Sequence, residues 1–418
     1  MSQQQRIIDV QERVPFLKGL PLSLQHLFAM FGATVLVPFL TGLNPAIALL
    51  TSGIGTLIYI VLTKGRIPGY LGSSFAFIGP IVAVAGDKDM GVGAALFGCL
   101  VSGLVYIVVA LIIRKTGIGW LNKLLPPVVV GSIVIVIGLG LASTAIDMAA
   151  SNWTVAFVAL LIAVLASAFF RGFLGVIPIL LGIIGGYLFA LAEGVVKFQP
   201  VIDASWLAAP TFTSPTVSWG AALLIAPVAL VTIAEHIGHL LVTENIVGKN
   251  LMKDPGLHRS MLGDGVATAV AGLIGGPPST TYGENIGVMA ITRVYSVWVI
   301  GGAAVLAILF SFIGKISALI HSIPVPVMGG ISILLFGIIA SAGLRMLVES
   351  GINYGDKRNL IISSVILVLG VGNATINIGD LPIQGMALAT FAGILLNLVL
   401  PKSIDEKAKN EDATSAQS

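Results

Sequence analysis

Long apolar runs, separated by short polar segments, are the dominant pattern along the chain. A run of about 20 apolar residues is long enough to cross a bilayer as a helix. The pattern predicts twelve such helices. Their approximate ranges are 21–41, 45–63, 91–113, 126–147, 153–170, 173–194, 218–241, 260–276, 294–314, 324–344, 359–379 and 385–400.

Two further segments, 70–86 and 277–292, are apolar but rich in Gly, Pro, Ser and Thr. Such segments form poor continuous helices, because Gly and Pro both weaken a helix interior. If they lay outside the membrane, stretches such as "SSFAFIGPIVAVAG" would be exposed to water. We therefore predict that both cross the membrane as short, partly extended or broken segments, which brings the total to fourteen crossings.

The distribution of positive charge supports this topology, because Lys and Arg are concentrated in cytoplasmic loops. With the N-terminus in the cytoplasm, nineteen of the 22 Lys and Arg residues fall on the cytoplasmic side, and only Lys88, Lys197 and Lys315 fall outside. Omitting just one irregular segment would invert every later loop and remove this asymmetry. We expect a multi-pass protein of the cell inner (plasma) membrane, with both termini cytoplasmic.

Three short patterns occur twice in the same order, about 200 residues apart. The pairs are "LQHLFAMFG" (24–32) with "AEHIGHLLV" (234–242), "GSSFAFIG" (72–79) with "PSTTYGENIG" (278–287), and "LPPVVVGSIVIVIG" (125–138) with "IPVPVMGGISILLFG" (323–337). Seven crossings per half is an odd number, so the second half is inverted relative to the first. Inverted repeats with paired interrupted helices are typical of transporters whose site lies near the membrane midplane.

Composition excludes a soluble protein: of the 418 residues, 56% are hydrophobic and 10% charged, with a mean hydropathy of +1.01. Soluble domains carry about 25% charged residues. The single cysteine, Cys99, excludes a disulfide framework or a cysteine metal cluster. Segment 1–20 has no apolar region followed by a cleavage site, so no removed signal peptide is expected.

The motifs of membrane proteases, hydrolases and ATP-driven pumps are absent from the sequence. We therefore expect no enzyme activity, no catalytic residues, no cofactor and no metal site. No nucleic-acid partner is expected either. A channel would favour a ring of like groups from repeated subunits, whereas this chain supplies a few unlike groups from two halves. That difference favours a carrier over a channel.

Two acidic residues, Glu235 and Glu284, are predicted at membrane depth. A carboxylate there costs several kcal/mol unless it is paired or hydrated, so each is a candidate for function. Glu235 and His239 are four residues apart on a predicted helix and share one face, while His236 is turned about 100° away. The alternative interpretation is a structural Glu235–His239 pair that closes a helix end.

The site is expected between 73–79 and 280–287, where broken helices would direct their N-terminal N–H groups towards the membrane centre. Glu284 would lie at such a helix start, and the alternative interpretation is that it only caps the helix. Phe75 lies in the break of the first half. His26 occupies the repeat position equivalent to His236 and supports the site. Asp264 is expected near the cytoplasmic end of its span, in a structural role.

The segment "GENIGVMAITR" (283–293) matches the signature of the nucleobase–ascorbate transporters, also called nucleobase:cation symporters, at Glu284, Asn285, Gly287, Thr292 and Arg293. The "QH" pair at 25–26 matches a second mark of that family. Together with "YLGSSFAFIGP", "AEHIGHLLVT" and "DPGLHRSM", these motifs resemble the bacterial uracil-permease branch over essentially all of residues 15–400.

The resemblance implies an all-α polytopic fold of fourteen transmembrane segments in a seven-plus-seven inverted repeat, with short strands in the third and tenth spans. It also implies a core domain that moves against a gate domain, usually in a homodimer. The corresponding ranges are a cytoplasmic N-terminal segment (1–20), core parts 21–124 and 218–322, gate parts 125–217 and 323–400, and a disordered cytoplasmic tail (401–418).

Members of this type import uracil with protons, so the resemblance implies uracil:proton symport by alternating access. The implied uracil contacts are Phe75, Glu235, Gly283 and Glu284; the implied proton-coupling residues are Glu235 and His239; the supporting residues are His26, His236 and Asn285. The xanthine branch typically has Gln at the position of Glu284, which favours uracil over a purine.

Other functions remain open on the sequence alone. A carrier of xanthine, urate or another pyrimidine would use the same fold. A passive nucleobase facilitator would need no proton coupling. An anion carrier of the related sulfate-transporter type shares the architecture, but it is not expected to have paired acids near the site.

Overall fold

A computed structural model describes residues 7–378 and 381–401 of the chain. The helices up to Asp203 are α1 (Phe16–Thr41), α2 (Pro45–Leu62), α3 (Ile78–Ala85), α4 (Gly91–Thr116), α5 (Gly119–Leu124), α6 (Pro127–Leu139), α7 (Ala142–Ala150), α8 (Trp153–Phe169), α9 (Pro178–Ala192) and α10 (Gln199–Asp203). The later helices are α11 (Trp219–Ile225), α12 (Val228–Val247), α13 (Leu257–Ile274), α14 (Gly283–Thr292), α15 (Val297–Ser311), α16 (Gly314–His321), α17 (Val325–Glu349), α18 (Lys357–Val371) and α19 (Gly385–Val399). The strands are β1 (Leu71–Ser73), β2 (Ser279–Thr281), β3 (Thr375–Ile378) and β4 (Leu381–Gln384).

Each of the twelve predicted apolar runs overlaps at least one of these helices. Within the described ranges, six helical segments are long and apolar enough to cross a membrane. They are Phe16–Thr41, Pro45–Leu62, Gly91–Thr116, Pro127–Ala150, Trp219–Val247 and Val325–Glu349. The protein is therefore a mostly helical, multi-pass membrane protein, as the composition predicts.

The turn between α1 and α2 shows how local sequence ends one helix and starts the next. Gly42 ends α1 with φ 73°, a left-handed conformation that glycine adopts without a steric penalty. The Asn44 side chain then accepts a hydrogen bond of 2.9 Å from the N–H of Ala46, and Pro45 occupies the first position of α2. An Asn cap followed by Pro is a strong start signal, because neither leaves an additional N–H unsatisfied.

The two irregular segments meet as a pair of short strands. β1 and β2 are antiparallel, with Leu71 opposite Thr281, Gly72 opposite Thr280 and Ser73 opposite Ser279. After β1, a 3-10 turn at Phe75–Phe77 leads into α3, and β2 leads into α14. The strands expected in these segments are present. Their pairing satisfies backbone groups that lipid would leave without hydrogen bonds.

Small residues allow close helix packing within the first of two compact units, which holds the described residues up to Gly117 and Leu141–Phe336. A Cβ on Gly103 of α4 would overlap the backbone of α13 at Ala269, and one on Gly53 of α2 would meet the Ala304 carbonyl of α15. Such contacts are typical of membrane helices, where close backbone approach replaces the hydrophobic driving force. The Thr268 hydroxyl of α13 also bonds the backbone of Ser279 in β2, which fixes this strand on the helix.

The second compact unit holds Ile118–Gly140 and the described residues from Gly337 onward. Arg358 at the start of α18 is buried, and its Nη2 donates to Oδ1 of Asn397 at 2.6 Å and to the Asn397 carbonyl at 2.8 Å. The Asn397 amide in turn donates to the Lys123 carbonyl at 2.8 Å. A buried guanidinium needs such acceptors, because an unpaired buried charge is strongly destabilising.

The prediction of one apolar crossing over 359–379 is wrong at its C-terminal end. α18 ends at Val371, and the chain then forms the antiparallel hairpin β3–β4. Asn373, with φ 49°, takes a conformation that interrupts a helix. The following "TINI" is rich in β-branched residues, which fit a strand better than a helix.

Before α1, the chain around Ile8 and Val10 forms an extended N-terminal segment that hydrogen-bonds to residues 293–297. Ile8 forms a parallel bridge with Val294, and Val10 is buried. Asp9 accepts hydrogen bonds from Lys249 at 2.6 and 2.8 Å, and this pairing lowers the pKa of the Asp9 carboxyl. α1 begins at Phe16, five residues before the apolar run predicted at 21.

The core-and-gate division concerns which elements move together, so it remains a prediction. Except for its first residue, the tail predicted to be disordered, 401–418, lies outside the described residues.

Candidate functional site

The predicted contact residues come together around α12. This helix carries Glu235 and packs against α14, β2 and the 3-10 turn that contains Phe75. Glu284 is the second residue of α14, immediately after β2. Glu235 lies close enough to Glu284 for their charges to interact. The structure therefore brings the turn with Phe75 and the helix with Glu284 against the same helix, although the two residues lie more than 200 positions apart in the sequence.

The predicted contact residues are partly or fully exposed, while several of their neighbours in the chain are buried. Phe75, Glu235, His239 and Glu284 are partly exposed, and Gly283 is exposed. Ala76, His236 and Asn285, each next to one of them in the chain, are buried. Partly exposed ionisable groups among buried neighbours are expected at a polar ligand site rather than in a packed core.

Gly283 is the first residue of α14 and lies beside His239. A Cβ built on Gly283 would be 3.7 Å from Nε2 of His239 and would meet no closer atom. The first N–H groups of a helix have no partner within the helix, and they carry the positive end of its dipole. Gly283 therefore leaves an open approach to donors that suit a carbonyl or an anionic oxygen.

His239 links α12 to β2. Its Nδ1 lies 3.0 Å from the hydroxyl oxygen of Thr281, and its backbone carbonyl accepts a hydrogen bond of 2.8 Å from Thr243. Glu235 is one turn earlier on the same helix, as the spacing of four residues predicts. The hydrogen bond of the imidazole is with Thr281, a residue that the sequence analysis did not single out. The roles of Glu235 and His239 in proton coupling remain predictions.

His26 and Asn285 form a buried polar contact between α1 and α14. The Asn285 amide nitrogen lies 3.0 Å from the His26 carbonyl and 3.1 Å from Nδ1 of its ring. Asn285 follows Glu284 directly, so this contact fixes the first turn of α14 against α1. The supporting role expected for both residues remains a prediction.

Tyr282 anchors the strand pair beneath the site, and the sequence analysis did not single it out. Its hydroxyl donates to the Ser73 carbonyl at 2.9 Å and accepts a hydrogen bond of 3.2 Å from Thr34. Gly72 makes room for the tyrosine ring, because a Cβ there would overlap it. The available signal was an aromatic residue directly before the Gly-Glu pair.

A second cluster of polar side chains lies on another face of α12, about 100° around the helix from Glu235. His236 is fully buried, with Nδ1 at 3.0 Å from an Asp264 oxygen and Nε2 at 2.8 Å from the Ser260 hydroxyl. The Tyr59 hydroxyl lies 2.6 Å from the same Ser260 oxygen. Asp264 is also close enough to Glu235 for their charges to interact.

Asp264 was expected near the cytoplasmic end of its span in a structural role, and that expectation remains a prediction. Asp264 is the eighth residue of α13, about two turns from the helix start, and it is fully buried. Its Oδ1 has no hydrogen-bond partner among the described residues. The signal that would have found it is an acid between two glycines inside an apolar span. In the described ranges, no group of three or more His, Cys, Asp or Glu side chains is arranged to hold a metal ion.

Paired strands between half-helices, with ionisable side chains gathered among apolar helices, define a membrane transport protein rather than an enzyme. A family model described as "Permease family" (Xan_ur_permease) matches residues 17–379. The chain belongs to this family, as the signature at 283–293 predicts.

Curated relatives match over almost their whole length. The chain is 58% identical over 411 residues to a protein named uracil permease from Bacillus subtilis (strain 168), covering 93% of this chain and 94% of that one. It is 51% identical over 427 residues to a uracil permease from Escherichia coli (strain K12), covering 98% and 99%. A putative pyrimidine permease of the latter organism is 41% identical, covering 96% and 94%.

Solved structures show the same fold at low sequence identity. The murine anion transporter solute carrier 26 family member A9, in its inward-facing state, has a TM-score of 0.70 at 10% identity, covering 93% of this chain and 69% of that chain. The transmembrane domain of the cyanobacterial bicarbonate transporter BicA has a TM-score of 0.62 at 12% identity, covering 93% and 100%. At such identities, the likeness concerns the fold alone.

Proposed function

We propose that the protein imports uracil together with protons, by alternating access at a site near the membrane midplane. The observation that carries the proposal is the packing of α12, which carries Glu235 and His239, against the start of α14, where Glu284 follows the exposed Gly283. The names of the relatives, at 51–58% identity, support uracil as the substrate. The proposed location is the cell inner membrane, with both termini in the cytoplasm.

The chemistry of uracil matches the groups around α14. Uracil has two N–H donors, two carbonyl acceptors and a flat ring. The Glu284 carboxylate accepts from an N–H, and such charge-assisted bonds are roughly twice as strong as neutral ones. The N–H group of Gly283 at the start of α14 donates to a uracil carbonyl, and glycine permits the close backbone approach. Phe75 contacts the ring.

The proton is proposed to be held by Glu235 and His239. Both are partly exposed on one face of α12, and the charge of Glu235 interacts with those of Asp264 and Glu284. Like charges near a carboxyl group oppose its ionisation. One bound proton would relieve this repulsion and permit substrate binding. The titration then belongs to the interacting groups together rather than to a single residue.

The proposed topology has fourteen crossings in a seven-plus-seven inverted repeat, with a core that moves against a gate and a homodimer as the assembled state. The antiparallel pairing of β1 with β2 supports it, because equivalent segments of inverted halves would meet in this way. The fold likeness to other transporters over 93% of the chain also supports it.

Uptake of labelled uracil into liposomes that hold the purified full-length protein tests the proposal. With the interior alkaline relative to the outside, we expect concentrative uptake that a protonophore abolishes. Unlabelled xanthine, urate and other pyrimidines are added as competitors, and uracil should compete best. Uptake that only equilibrates would indicate a facilitator. If another base competed more strongly than uracil, that base would be the preferred substrate and the assignment of uracil would be wrong.

A further inference from the structure

A small space lies behind the candidate site, between α12, α14 and residues 67–70. Its volume is about 10 Å³, which is about the space that one water molecule needs. The residues that line it include His239 and Thr243 of α12, Thr281 of β2, and Asn285 and Met289 of α14. The space is therefore next to the imidazole proposed to hold the proton.

This space extends from the site towards the C-terminal ends of α12 and α14. Thr243 lies one turn beyond His239, and Met289 lies one turn beyond Asn285. Lys249 and Val294 follow these helix ends and contact the extended N-terminal segment. The proposed topology places these ends in the cytoplasm. The space therefore lies on the cytoplasmic side of the uracil contacts.

The lining leaves a polar atom without a partner. Asn285 is 1% exposed, and its amide nitrogen is used by His26. Its Oδ1 has no hydrogen-bond partner among the described residues. A buried carbonyl oxygen without a donor costs about 1–3 kcal/mol, which a water molecule would recover. The Thr243 hydroxyl donates to the His239 carbonyl and keeps lone pairs to accept from such a water.

We propose that this space holds one water molecule, and that the proton leaves His239 through it towards the cytoplasm, on a route separate from that of uracil. The inference rests on the proposed function. In the step, the ring N–H bond of protonated His239 breaks and an O–H bond forms on the water. The resulting hydronium passes a proton to water that enters past Thr243, which leaves a neutral imidazole and a neutral water.

Other titratable groups lie around His239, and their charges act on it. They are Glu235 and His236 on α12, Glu284 on α14, Tyr282 beside its start, Asp264 on α13, Tyr59 on α2, and Tyr70 before β1. The carboxyl groups lie towards the uracil contacts or behind α12, and none of them lines the small space. Besides the imidazoles, the space thus offers hydroxyl and amide groups, which hydrogen-bond a water molecule without taking its proton.

Hydroxyl-radical footprinting of the protein in a bilayer tests for the water directly, because radiolysis of a bound water oxidises the side chains next to it. Met289 lines the space and is 1% exposed, while Met261 is equally buried and does not line it. We expect Met289 to be oxidised several-fold faster than Met261. Equal rates for the two methionines would overturn the proposed water.

Thr243→Val tests the route, because it keeps the shape of the side chain and removes the hydroxyl. Thr41→Val is the matched control: Thr41 is also buried and bonds the carbonyl four residues earlier, at 2.8 Å from Val37. Uptake driven by a pH gradient should fall roughly fivefold in Thr243→Val, the effect of one lost hydrogen bond. Uracil exchange at equal pH, which needs no net proton release, should stay at the level of the control.

Two outcomes would overturn the route: equal gradient-driven uptake in the two variants, or an equal loss of gradient-driven uptake and exchange in Thr243→Val. Wild-type protein is measured first in the same liposomes. If wild-type uptake ignores the pH gradient, the proposed function fails. If wild-type uptake follows the gradient and Thr243→Val behaves like Thr41→Val, only the route fails.

Discussion

Gly283→Ala tests uracil binding separately from folding. The protein has room for the added methyl group, whereas the proposed position of uracil leaves none. The new Cβ would lie 3.7 Å from Nε2 of His239, which is an ordinary van der Waals contact. Alanine at a helix start also costs less conformational entropy than glycine. The unfolding temperature of the variant should therefore equal or slightly exceed that of the wild type.

Uracil binding should weaken markedly in the same variant. The methyl group occupies the open position beside the start of α14. The proposed function places a carbonyl of the base at this position. Forcing one extra methyl group into a well-packed contact costs about 1–3 kcal/mol, which corresponds to a loss of affinity of roughly 5- to 150-fold.

Calorimetric titration of uracil into detergent-purified protein measures this loss, and a thermal unfolding assay on the same samples measures stability. Gly301→Ala is the matched control, because its Cβ would also have its nearest neighbour at 3.7 Å, at Ile60 of α2. We expect the control to bind uracil like the wild type. Unchanged affinity in Gly283→Ala, at unchanged stability, would refute the placement of uracil at this helix start.

Three other substitutions probe the surrounding groups. Glu284→Gln should weaken uracil binding by roughly 5- to 30-fold in calorimetry, because a neutral acceptor replaces a charged one; unchanged affinity would exclude Glu284 as a contact. Asp264→Ala should destabilise the protein by about 3–5 kcal/mol, because His236 loses its buried partner, and Asp264→Asn should cost less; equal unfolding temperatures for the two variants would contradict this role. Asp9→Asn should lower stability by less than about 1 kcal/mol at neutral pH, because the Asp9–Lys249 pair is largely exposed. The folded pKa of Asp9 is below its ordinary value of 3.8, so the difference from wild type should be full above that value and disappear as the pH falls further; a difference that persists or grows in acid would contradict the assignment.

The periodicity of apolar residues predicted the positions of the helices, because a bilayer requires long apolar runs and the polar breaks are short. It also predicted where the helices are interrupted: the Gly-, Pro-, Ser- and Thr-rich segments became β1 and β2. The hairpin β3–β4 was not predicted, because apolar periodicity alone does not distinguish a short strand from the last turns of a helix.

The site was predictable in part. Spacing of four residues put Glu235 and His239 on one face of a helix, and helix periodicity turned His236 away from them. The partners that hold these groups come from other elements: Thr281 binds His239, and Asp264 binds His236. Contacts between elements so far apart depend on how the helices pack, which local patterns do not encode.

The most direct test of the central claim is the pH inside liposomes that contain the protein, followed with a trapped dye after uracil is added outside at equal starting pH. If uracil enters with a proton, the interior should acidify as uracil accumulates, and a protonophore should abolish the pH change. Entry of labelled uracil without any change of internal pH would contradict proton coupling at this site.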